Sequence, residues 1–174
     1  MCDKIMHKSQ RIIYMNKYIL FLILTFFNLN IFSESNIFGY WLTSGSIVKI
    51  KNCDDFICAN IETIFVEDGV DPESLLDLEN KDKKLRSRTL VGINLLSNFK
   101  INETNQKIFK GGKIYDPRSG NTYKSNLYLY DDGSLRVEGC LAFICDGEVW
   151  EPLIVKIDDD GSKEAILKNP PQKN

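Results

Sequence analysis

Four of the five cysteines (all but Cys2 near the N-terminus), a pair of arginines, a group of tyrosines and a few carboxylates are the residues of this chain whose types and spacing could do chemistry. Cys53 and Cys58 form one C-x4-C unit, and Cys140 and Cys145 form a second. An even set of cysteines behind an export leader reads as disulfides, and pairing within each unit is the simplest of three connectivities. Structural zinc favours C-x2-C knuckles and redox thiols favour C-x-x-C, so neither a metal nor a thiol reaction is expected. Each six-residue ring contributes about 2 kcal/mol in the chain-entropy picture, which makes it a loop staple. Arg86 and Arg88 would share one face of a strand and could clamp a carboxylate or phosphate. Their alternative use is to pair with Asp77, Asp82 or Asp116 and fix the surrounding segment. Tyr115, Tyr123, Tyr128 and Tyr130 could line a pocket or form ordinary cross-strand pairs. Asp116 with Asp82 or Glu138 could serve as an acid/base pair. Asp158-Asp-Asp-Gly-Ser162 resembles a calcium loop, but Asn169 stands where the closing acid belongs. No metal and no cofactor is expected.

The missing residue type excludes more than the present ones establish. The chain has a single histidine, His7, and it falls in the leader. Residues 1–35 read as a signal peptide, with the start at Met1 or at Met15. Lys4, Lys8, Arg11 and Lys17 precede the apolar run Tyr18–Phe27, which is too short to span a bilayer. Beyond the leader no histidine remains, so Ser-His-Asp, Cys-His and histidine-metal chemistry are excluded there. Eighteen basic against twenty-two acidic side chains give residues 36–174 a net charge of −4. A nucleic-acid partner would need the opposite balance.

These residues are carried by short alternating runs separated by turn chemistry, the signature of an all-β sandwich or barrel. Strands are expected at 38–43, 46–51, 58–66, 89–96, 106–115, 121–130, 134–140 and 147–157. Asp116-Pro-Arg-Ser-Gly120 supplies a tight turn, with Pro117 presetting φ and Gly120 accepting a positive φ; Asp132-Gly133 marks a hairpin. Short connections make sequential strands antiparallel neighbours, hence an up-and-down meander. Leu127, Leu129 and Tyr123 are expected to face the core, and Tyr128, Tyr130, Lys124 and Asn126 the solvent. The long charged insertion Glu67–Ser87 reads as a loop or lid with a helical turn or two within Ser74–Leu85. The domain is expected to span 36–157, followed by a flexible polar tail at 158–174.

Gly39-Tyr40-Trp41 resembles the first motif of the lipocalins, whose tryptophan plugs one end of an eight-stranded barrel. Five stretches are together similar to an uncharacterised family of exported bacterial proteins, domain-of-unknown-function family 2147. They are Gly39–Thr43, the Cys53–Cys58 loop, Asp77-x-x-Asn80-x-Asp82-x-x-Leu85-Arg86-x-Arg88-x-Leu90-x-Gly92, Gly112–Tyr123 (with Asp116, Pro117, Gly120 and Tyr123), and Gly139 through Cys145 to Trp150. Lys81 replaces a customary proline, Phe109 a tryptophan, and Glu151-Pro152 the usual Thr-Arg. The resemblance implies an all-β, lipocalin-like antiparallel barrel of about eight strands, periplasmic or secreted, with no enzymatic activity.

The resulting expectation is an exported, non-enzymatic protein that binds a small amphipathic or lipid-like ligand, with Trp41 at the closed end and Arg86, Arg88 and Tyr115 near the mouth. The rival expectation is a filled barrel that binds an envelope protein, and a carboxylate-dependent enzyme ranks third. Membrane contact is expected through the leader alone.

Overall fold

The structure, a computed structural model, describes residues 36–101 and 106–170. The signal peptide read at 1–35 lies outside these residues. Among the described residues nine antiparallel strands follow one another: β1 (Gly39–Leu42), β2 (Ser46–Cys53), β3 (Phe56–Ile64), β4 (Asn94–Lys100), β5 (Ile108–Asp116), β6 (Asn121–Leu129), β7 (Leu135–Leu141), β8 (Ile144–Ile157) and β9 (Lys163–Leu167). Neighbours in sequence are neighbours in the sheet, and β1 also pairs with β8 through Tyr40–Leu153, Trp41–Pro152 and Leu42–Glu151. That closure makes an eight-stranded up-and-down barrel, with no exposed edge where β1 and β8 meet.

Alternation decides what fills the barrel. Leu127 and Leu129 on β6, Leu135 and Val137 on β7, and Trp150 on β8 are buried, whereas Lys124, Arg136 and Val149 between them face outward or sit part-buried. Trp41, Val48, Ile50, Ile57, Leu96, Phe99 and Phe109 complete the core from the other strands. Two irregularities preserve this inward row. Asn98 adopts φ +63°, so Leu96 and Phe99, three apart, both point inward. A bulge between Lys110 and Gly112 does the same for Phe109 and Gly112, and the Phe99 ring occupies the space that a Cβ at Gly112 would need.

Two sequence expectations need correction. The fourth strand begins at Asn94, not Thr89. Thr89 instead bridges to Leu76, and Leu90 N–H donates to the Leu75 carbonyl (2.8 Å), so this stretch belongs to the insertion. The insertion holds two single 3-10 turns, Pro72–Ser74 and Lys83–Leu85, each capped by an aspartate, Asp71 and Asp82. The second correction is the tail. Lys163–Leu167 pairs with Leu153–Ile157 as β9, on the edge of β8 opposite β1, because Leu153 has both Tyr40 and Leu167 as partners. The Asp158–Ser162 segment that resembles a calcium loop is the connecting turn, with Gly161 at φ +84° and Asp160 accepting from Ser162 N–H.

Candidate functional site

By antiparallel alternation the β1–β2, β3–β4, β5–β6 and β7–β8 connections gather at one end of the barrel. There the inward rows run past the packed core and open. Tyr123 continues the row of Ser125 and Leu127; Gly139 and Leu141 continue that of Val137; Glu148, Asp146 and Ile144 continue that of Trp150. With Ile114 they enclose a half-open cavity of about 500 Å³. Its walls are apolar (Ile114, Val137, Leu141, Ile144, with the Tyr123 ring), and Asp116, Asp146 and Glu148 provide carboxylates. The volume is within the range of small-molecule sites.

The polar groups divide into used and free. Glu148 Oε1 accepts from the Trp150 indole N–H at 2.7 Å, which joins the cavity floor to the core. Asp116 caps its own turn, accepting from Arg118 N–H (3.2 Å), Arg118 Nε (3.0 Å) and Ser119 Oγ (2.9 Å). Burial pushes the Asp116 carboxyl up, but the bonds from Arg118 and Ser119 outweigh it and the net displacement is downward. Asp146 is exposed at the rim and accepts only from Gly147 N–H among the hydrogen bonds described. Ser125 faces the interior between Gly112 and Gly139, is 1% exposed, and its Oγ has no hydrogen-bond partner.

The residues expected at the mouth lie elsewhere. Arg88 and Tyr115 do meet, but on the outer wall and around Asp77. Asp77 is 0% exposed; its Oδ1 accepts from the Tyr115 hydroxyl at 2.5 Å, and its Oδ2 from Arg88 Nε at 2.9 Å and Asn80 Nδ2 at 2.7 Å. The Arg88 guanidinium also sits over the Tyr115 ring, 5.7 Å from its centre. Arg86 donates from Nε to the Asn80 carbonyl (2.8 Å). The same-face argument for the two arginines fails because Arg86 follows a 3-10 turn in αR geometry, outside any strand. Trp41 is buried, with its indole N–H on the Ile37 carbonyl (2.9 Å). None of these four lines the mouth cavity.

Together they form a clamp that ties the insertion to the barrel wall. Gly120 completes it from the β5–β6 turn: its φ is +67°, and a Cβ there would overlap the Glu79 carbonyl. The motif residues Gly39, Asp116, Pro117, Gly120 and Tyr123 thus hold turns and walls; among them only Asp116 and Tyr123 line the cavity. Tyr123, with Leu127 and Leu129, faces the interior side, and Tyr128 the outside, as the alternation implies. Both disulfides close within their units, Cys53–Cys58 and Cys140–Cys145. The carboxylates named as an acid/base pair have other partners: Asp82 caps the second 3-10 turn and Glu138 accepts from Arg136 at 2.9 Å. The sequence reading missed Asp146 and Glu148. The signal was present, since both share parity with Trp150 along β8.

A family model described as "Uncharacterized protein conserved in bacteria (DUF2147)" matches residues 39–152. Among solved structures, the chain resembles one titled "Protein HP1028 from the human pathogen Helicobacter pylori belongs to the lipocalin family". The TM-score is 0.55 and the identity 22%, over 70% of this chain and 82% of that one. At that identity the likeness speaks to the lipocalin-like fold alone. Comparison with curated proteins gives no match.

Proposed function

The chain belongs to the DUF2147 family of bacterial proteins, and from that premise we propose that it is an exported, non-enzymatic binding protein whose barrel mouth takes a small amphipathic molecule. The observation that carries this reading is the cavity itself: interior-facing and apolar-walled, it opens at one end above a packed core. The apolar part of the ligand would lie against Ile114, Val137 and Tyr123. Its polar end would meet Asp146 and Glu148, with Ser125 Oγ able to bond a group that reaches the floor. Three carboxylates against the single Arg118 favour a cationic or neutral head over an anionic one. This reverses the head-group preference that the arginines implied. The two disulfides support an oxidising, extracytoplasmic compartment.

Gly139→Leu tests the reading. A Cβ at Gly139 meets Ile114 Cγ2 at 3.4 Å and Tyr123 Cβ at 3.8 Å, ordinary contacts, so a Cβ fits at this cavity-lining position and the variant is expected to fold with the cavity occupied. Dodecylamine should raise the melting temperature of the natural protein and leave the variant unmoved, with dodecanoate weaker than the amine. An equal response from protein and variant would remove the cavity as the site.

A further inference from the structure

We propose that the β7–β8 hairpin is a docking finger for an anionic lipid surface. Its tip gathers exposed apolar groups: Leu141, Phe143 and Ile144 are 72%, 91% and 66% exposed, three large apolar side chains within four residues. Single exposed hydrophobics need no explanation, but a contiguous apolar tip marks an interaction site. The tip is also held rigid. Cys140 and Cys145 are direct cross-strand partners and are bonded to each other, Leu141 and Ile144 form the next pair, and Ala142 takes φ +57° in the two-residue turn. The finger is therefore set in its extended shape before anything binds.

Charge identifies the partner. On the outer wall behind the finger Lys113 stands opposite Lys124, and Lys124 opposite Cys140, with Lys110 further along; all three lysines are exposed. Arg118, on the neighbouring β5–β6 turn at the same end, is 90% exposed with its Nε bonded to Asp116 at 3.0 Å, so among the described residues the lysines carry the free positive charge of this face. Like charges directly opposite in a ladder repel, so this arrangement costs stability in the isolated protein. Glu138 on the same wall is engaged by Arg136 at 2.9 Å. An apolar tip backed by lysines fits the boundary between acyl chains and anionic headgroups, where a few large side chains insert and nearby cations bind the surface. Leu141 and Ile144 also form the rim of the mouth cavity, so a docked finger would open that cavity toward the bilayer. The inference goes beyond the expectation that membrane contact ends with the leader. It does not depend on which molecule fills the cavity.

Co-sedimentation with vesicles tests it, comparing phosphatidylglycerol/phosphatidylcholine mixtures with pure phosphatidylcholine. The oxidised protein should partition onto the anionic vesicles and lose that binding as salt is raised. Phe143→Ser, at a residue outside the cavity lining, should lower partition about tenfold, the order expected for removing one inserted aromatic. Lys113→Glu with Lys124→Glu should weaken binding and flatten its salt dependence. Both variants should keep the natural thermal midpoint and the dodecylamine response, which separates this test from that of the cavity. Equal partition onto neutral vesicles, no partition at all, or an unaffected Phe143→Ser would overturn the proposal. So would a dimer that depends on Phe143, seen by sedimentation velocity in the absence of vesicle binding, because the tip would then fit a second copy of the chain.

Discussion

Asp77 shows how a single buried charge organises a surface segment. A carboxylate taken out of water is costly unless it is both paired and hydrogen-bonded. Here Tyr115, Asn80 and Arg88 supply the bonds, and Arg88 supplies the charge. Burial pushes the Asp77 carboxyl up, but the three hydrogen bonds and the Arg88 charge outweigh it, and the group ends below its ordinary value. Tyr115 is pushed up, by burial first and then by its bond to Asp77. Asp77 therefore contributes stability that is complete above the unfolded aspartate value, near 4, and is lost as pH falls through the lower folded one. Tyr115 contributes below about 10 and loses its share as pH rises through its raised folded value. Chemical denaturation of Asp77→Ala should show a loss of about 2–4 kcal/mol at pH 7, since it leaves buried donors unpaired. Tyr115→Phe should cost about 1 kcal/mol. In Asp77→Asn the excess acid sensitivity between neutral pH and pH 3 should disappear; if it persists, another carboxylate carries it.

At the scale of elements, the alternation of β6 and β7 was readable because nothing interrupts it: each second residue from Tyr123 to Leu129 and from Leu135 to Leu141 faces one side. The start of β4 was not readable. Thr89-Leu-Val-Gly-Ile reads as strand by residue type, yet the backbone of Thr89 and Leu90 is taken by Leu76 and Leu75, partners that only the folded insertion provides, and β3 is reached only at Gly92, which donates to the Ile61 carbonyl. The position of Arg88 was hidden for the same reason, although its pairing with Asp77 was one of the two uses the residues allowed. β9 was missed because its outward polar residues resemble a solvated tail; what orders it is the backbone ladder with β8 and the bond from Asn169 Nδ2 to the Asp132 carbonyl (2.7 Å). Truncation at Ile157 should lower the thermal midpoint by a few degrees while leaving the far-ultraviolet spectrum that of a β-barrel, because closure runs through β1 and β8. Replacing Cys53 and Cys58 by serine should cost about 2 kcal/mol. In that variant dodecylamine binding should persist, since this staple and the cavity lie at opposite ends.

At the scale of the whole domain, the described residues form a barrel with two unlike halves. One half is solid, packed by Trp41, Phe99, Phe109 and Trp150; the other is hollow, lined by the same inward rows after they change from large apolar residues to Gly139, Asp146 and Glu148. That change of composition along the rows turns a structural fold into one that can hold a guest. The resemblance read from the sequence pointed to the barrel, whereas the ligand role for Arg86 and Arg88 came from their spacing along a supposed strand, and spacing does not say which side of a wall a residue faces. The most direct measurement is calorimetric titration of dodecylamine into the natural protein and into Gly139→Leu. A saturable, one-to-one isotherm for the first and none for the second is the predicted result. Saturable binding of equal strength to both, or to neither, would contradict a ligand site in the barrel mouth.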